Sequence, residues 1–110
     1  MTVLLVSAVC ALGTPVAHAE DQLSGADLQR MCASRYDTDY GYCAGYIKAV
    51  ADIMRDQRVA GLDACGHAPI RSQQLIDIIT NYLEKHPDDL HLSARELVAR
   101  ALNAGFTCTR

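Results

Sequence analysis

Four of the five cysteines in this chain, Cys32, Cys43, Cys65 and Cys108, lie beyond residue 20, and the fifth, Cys10, sits inside an apolar N-terminal run. That division constrains the fold more than any other feature of the sequence. Residues 3–12 are apolar apart from Ser7 and Cys10, and Gly13, Thr14 and Pro15 follow. Ala17-His18-Ala19 then fits a small-x-small cleavage site, and the first charged residue is Glu20. The run is about half of the ~20 residues that cross a bilayer, so residues 1–19 read as a cleaved secretory leader, with no membrane anchor left behind. The leader departs from the usual pattern in having no Lys or Arg before its apolar run. Its removal leaves a domain of about 91 residues, 20–110, bound for the periplasm with an even set of half-cystines. A domain so short buries little surface and needs such staples.

Beyond residue 20 the apolar residues recur at helical spacing, and no segment alternates with period two. The expected fold is all-α, a small disulfide-stabilised bundle of about four helices with no sheet. The first helix is expected over 24–33, capped by Ser24, with Asp27 suiting the helix dipole and Leu23 stapling onto Leu28. The second is expected over 39–59, burying Tyr42, Tyr46, Ala49, Val50 and Ile53, with Gly61 ending it. The third follows Pro69, with Ser72 as cap, and runs to Lys85 before Pro87 stops it. Its inward residues are Leu75, Ile76, Ile79, Tyr82 and Leu83. The fourth opens on Ser93-Ala94-Arg95-Glu96, the pattern of a reciprocal capping box, and buries Leu97, Val98, Ala101 and Leu102 before Gly105.

Short connections make neighbouring helices antiparallel, which selects among the three ways of pairing four half-cystines. Cys32 ends the first helix where Cys43 begins the second. Cys65 and Cys108 both arrive at the opposite end of an up-and-down bundle. Cys32–Cys43 and Cys65–Cys108 are therefore the expected bridges.

Composition and motifs exclude several chemistries. A formal net charge of −3 without a basic patch argues against nucleic acid. His86 and His91 flank a proline-containing loop and lack the one-face spacing of a zinc pair, so no metal is expected. Cys65-Gly66-His67 sets a thiol near an imidazole, but in an oxidising compartment that sulfur is expected to be in a disulfide. With no phosphate-binding loop, no Ser/His/Asp set and no cofactor motif, the chain reads as a non-enzyme. Candidate partner-binding residues remain: Asp88, Asp89 and His91 in the loop before the fourth helix, and Tyr36 and Tyr40 at the start of the second.

Some longer stretches resemble a known family. Cys43-Ala44-Gly45-Tyr46-Ile47 with Ala51-Asp52, Gln74-Leu75-Ile76-Asp77, and Tyr82-Leu83-Glu84-Lys85-His86-Pro87 are similar to the Rap/Tai immunity proteins. So are Leu92-Ser93-Ala94, Leu97-Val98 and Ala101-Leu102, ending at Phe106 and Cys108, although Thr107 stands where that family often has proline. The resemblance implies a periplasmic, disulfide-bonded helical protein, often a homodimer, that blocks the cleft of a peptidoglycan amidase effector delivered by a type VI secretion system. Its matching residues are mostly core positions, caps and cysteines, so they bear on fold more than on partner. The loop Pro87-Asp88-Asp89-Leu90-His91 is the expected inserting element. Two other uses suit the same body: an acid-stress chaperone, or an accessory subunit of an envelope complex.

Overall fold

The computed structural model describes residues 22–65 and 70–108. Over them the chain forms α1 (Gly25–Cys32), α2 (Asp37–Ile53), α3 (Ser72–Lys85) and α4 (Ala94–Gly105), with a 3-10 turn at Pro87–Asp89. Among the described residues there is no strand; the only ladder contacts are isolated bridges, Ser24 with Ser93 and Val59 with Leu62. The leader expected over 1–19, and His67 and Pro69, lie outside the described residues.

Both expected disulfides form: Cys32 with Cys43 and Cys65 with Cys108. The first of them sets the rotation of α2. Cys43 is fully buried against Cys32, and Ile47, Val50, Ala51 and Met54 follow it on the same face. The stripe expected from sequence has the same spacing but sits one residue earlier, a turn of roughly 100°. Tyr42 and Ile53 are consequently 52% and 46% exposed, Ala49 is exposed and Tyr46 is half-buried. Tyr42 stacks on Tyr46 with centroids 6.3 Å apart, and burial pushes the Tyr46 phenol above its ordinary value against the opposing pull of Arg95. Leu28 of α1 meets Leu75, Ile76, Ile79 and Leu83 of α3 and Ala94, Leu97, Val98, Ala101 and Leu102 of α4 in one apolar core.

The helix ends differ from expectation in instructive ways. The reciprocal capping box is on α1: the Asp27 amide donates to Ser24 Oγ at 3.0 Å and the Ser24 amide to Asp27 Oδ2 at 3.2 Å. On α4 only half of it forms. Ser93 Oγ accepts from the Glu96 amide at 3.2 Å, while the Glu96 carboxylate turns to Arg100. Ser72 is the first residue of α3 and not its cap; Arg71 stands there and makes no side-chain cap bond. The Ser24 amide, the Ser24 hydroxyl and Arg30 hold the Asp27 carboxyl below its ordinary value. Its stabilisation is therefore complete above the ordinary carboxylate range and is lost as pH falls through the lowered folded-state value. Asp27→Asn should flatten the acid side of the curve of melting temperature against pH, leaving the neutral side parallel to that of the parent.

Helix α2 stops at Ile53, six residues before the expected end, and Gly61 serves a different purpose. Val59 and Leu62 exchange backbone hydrogen bonds at 3.0 and 2.9 Å around Ala60 and Gly61, whose φ values are 53° and 77°. Two consecutive positive φ angles define a type I′ turn, which suits Gly61 and strains Ala60. Ala60→Gly should raise stability by about 0.5–1 kcal/mol, since relief of left-handed strain exceeds the added freedom of the unfolded chain. Thermal melting should show a rise of roughly 2–8 °C.

Candidate functional site

The loop between α3 and α4 begins where Pro87 removes an amide and bars His86 from helical backbone. His86 ends α3 with its ring stacked on Tyr82 at 3.9 Å, and its Nδ1 donates to the Tyr82 carbonyl at 2.7 Å. It is thus half-buried and fixed, not the exposed loop histidine its position suggests. The turn then closes through the Asp89 amide on the His86 carbonyl at 3.0 Å and the Leu92 amide on the Asp89 carbonyl at 2.9 Å.

The far side of the loop is held by α1. A helix leaves its first amides without internal partners, and here two of them bond to the loop. Gly25 N–H donates to the Leu92 carbonyl at 2.9 Å and Ala26 N–H to the Leu90 carbonyl at 3.0 Å. The Ala94 amide returns a bond to the Leu23 carbonyl at 2.7 Å. Gly25 is buried against Leu90 and Leu97, where a β-carbon would lie 2.2 Å from Leu97 Cδ1. Leu90 and Leu92 pack partly buried on the core. The loop is therefore held at both ends, with Asp88 and His91 on its exposed side.

The five candidate residues separate into two sets. Asp88 and His91 are exposed, and among the described residues neither makes a hydrogen bond or ion pair. Asp89 instead turns inward, 3.7 Å from Arg100 Nη1, and the same guanidinium pairs with Glu96. Tyr36 is 74% exposed at the N-cap of α2, its amide donating to Ser34 Oγ at 3.1 Å. Tyr40 is half-buried, its hydroxyl donating to Gln73 Oε1 at 2.8 Å and so tying α2 to α3. The structure does not bring the tyrosines to the loop. Tyr36 follows the C-terminal end of α1 and the loop borders its N-terminal end, and eight helical residues span about 12 Å.

Sequence reading missed Gly25, which packs against the loop, and Arg100, which pairs with Asp89 in it. A glycine after a serine cap carried no mark of a long-range contact. Arg100 lies four residues after Glu96, a spacing that pairs the two on one helix face and carries no sign of a contact with Asp89.

Among the described residues the chemistries weighed from the sequence are not assembled. The Cys65 sulfur is bonded to Cys108, which leaves no thiolate for nucleophilic attack. Among the described residues no group of three or more His, Cys, Asp or Glu side chains converges to hold a metal. A cavity of about 100 Å³ between α2 and α3, lined by Lys48, Asp52, Arg55 and Ser72, pairs no nucleophile with a base. What the arrangement provides is a stiff acidic tip on a stapled helical body, suited to meeting another protein.

No curated protein matches the sequence. The family model of the Rap1a immunity proteins matches residues 24–108, from the cap of α1 through all four helices to the last half-cystine. The chain belongs to the Rap1a immunity proteins, a family whose members guard against effectors of type VI secretion.

Proposed function

We propose that the protein is exported, loses residues 1–19, and in the periplasm inhibits a peptidoglycan amidase effector by inserting the loop of residues 87–91 into its cleft. Family membership supports an effector as partner. Two disulfides support an oxidising compartment. The observation that carries the insertion is the loop itself. Asp88 and His91 project unpaired from a backbone that α1 and α3 hold at both ends. A protrusion ordered before binding loses little conformational freedom on docking, so a standard interface of about 1,600 Å² can reach nanomolar affinity.

Release of dye from labelled peptidoglycan by a purified amidase effector, titrated with the mature chain, tests the reading. Asp88→Lys should weaken inhibition by about tenfold or more, equivalent to roughly 1.4 kcal/mol of lost binding. Inhibition that is unchanged by this substitution removes the loop from the account.

The exposed apolar stripe of Tyr42, Ala49 and Ile53 on α2 supports self-association as part of the same reading. In sedimentation equilibrium Ile53→Lys should then convert a dimer to a monomer, and a monomeric parent chain would exclude it.

A further inference from the structure

Two adjacent carboxylates at the tip of one loop invite a single role, and the geometry gives them different ones. Asp88 is exposed and unbonded among the described residues. Every polar group of Asp89 is engaged. Its amide donates to His86, its carbonyl accepts from Leu92, and its carboxylate lies 3.7 Å from Arg100.

Arg100 is well placed for that contact. It stands one turn after Glu96 on α4, so the Glu96 carboxylate orients the guanidinium and leaves its other edge facing the loop. The Arg100, Asp89 and Glu96 side chains are 37%, 34% and 32% exposed, so water and salt screen them less than a fully solvated pair. A planar guanidinium spans two carboxylates in fixed geometry, which an ammonium does not.

We infer that Arg100 is a positioning residue, holding the loop through Asp89, and that Asp88 and His91 alone are the side chains by which the loop tip reads its partner. The naming of a partner-reading pair rests on the proposed inhibitor reading; the role of Arg100 does not. An exposed carboxylate and an exposed imidazole on one short loop fit a cleft that presents a cationic or hydrogen-bond-donating group. Asp89 sets where that pair stands.

Amide hydrogen exchange of the free, full mature chain tests the strut without any partner. Arg100→Met and Asp89→Asn should each speed exchange at Ala26 and Leu92 by about tenfold relative to Ile79, and the double variant should be no faster than either. Asp88→Asn should change nothing. Exchanging the charges, with Asp89→Arg and Arg100→Asp together, should recover most of the protection that each single change removes. The inference is overturned if Arg100→Met leaves the loop amides protected, if Asp88→Asn loosens them equally, or if the exchanged pair fails to recover.

In the amidase assay the exchanged pair should inhibit like the parent although the charge at 89 is reversed. Loss of inhibition with loop protection restored assigns Asp89 to the partner and overturns the assignment of Asp88 and His91. Should the exchange results hold while even the parent chain inhibits no amidase, the inhibitor reading fails and the strut stands.

Discussion

Replacing both Cys65 and Cys108 with alanine is expected to lower stability by about 4 kcal/mol. The bridge joins residues 43 apart, and a cross-link of that span removes loop-closure entropy from the unfolded chain and so raises its free energy by about 4 kcal/mol. Small domains have only about 5–15 kcal/mol in total, and for a chain of this size the loss corresponds to a fall of roughly 15–30 °C in melting temperature. The Cys32–Cys43 bridge spans 11 residues, for which the same reasoning gives about 3 kcal/mol. The two also differ in access. Cys65 is exposed, whereas Cys43 is fully buried beneath α2. A titration with dithiothreitol, trapped by alkylation and read by mass spectrometry, should show Cys65 and Cys108 labelled first and Cys32 and Cys43 only as helicity is lost. Simultaneous labelling of all four would show that the buried bridge gains no protection from its packing.

Gly25→Ala should be the most damaging single substitution on the loop side of the molecule. The new methyl would lie 2.2 Å from Leu97 Cδ1 and 3.1 Å from the Leu90 carbonyl oxygen. Leu97 is fully buried, and overpacking of this kind costs about 1–3 kcal/mol. The alternative is for α1 to back away from the loop. That would release the bonds from Gly25 and Ala26 to Leu92 and Leu90, each worth about 1 kcal/mol. About 1–3 kcal/mol follows by either route, measured as a shift of the urea midpoint at unchanged slope. Inhibition should fall as well, because the tip moves with the backbone that carries it. Ala26→Gly, on the neighbouring exposed residue, keeps the amide and adds no atom, so it should leave inhibition close to that of the parent.

The sequence carried the number of helices, both bridges and most of the core of α3 and α4, because those features are local or set by counting. Leu75, Ile76, Ile79 and Leu83 are buried as their spacing requires. The phase of α2 shows where local pattern fails. Tyr42, Tyr46, Val50 and Ile53 fit a helical face as well as Cys43, Ile47, Val50 and Met54 do, and the bulk of the tyrosines favoured the wrong one. A cysteine assigned to a bridge must point at its partner, so Cys43 held the answer. The candidate site was legible in part. Pro87 and Ser93 marked the ends of the loop, but its rigidity comes from α1, more than 60 residues earlier in the chain, and no local pattern reports such a contact. Asp88 and Asp89 are equivalent as letters, and only the position of Arg100 separates them.

The central claim is that the tip of the loop enters the effector. Replacing Asp88 with the photo-crosslinker benzoylphenylalanine, and in a separate chain replacing Tyr36, tests where the partner sits when each is irradiated with a purified peptidoglycan amidase effector. The account predicts covalent capture from position 88, mapped by mass spectrometry to peptides lining the amidase cleft, and none from position 36. Capture from position 36 with none from 88, or capture from 88 outside the cleft, would contradict it.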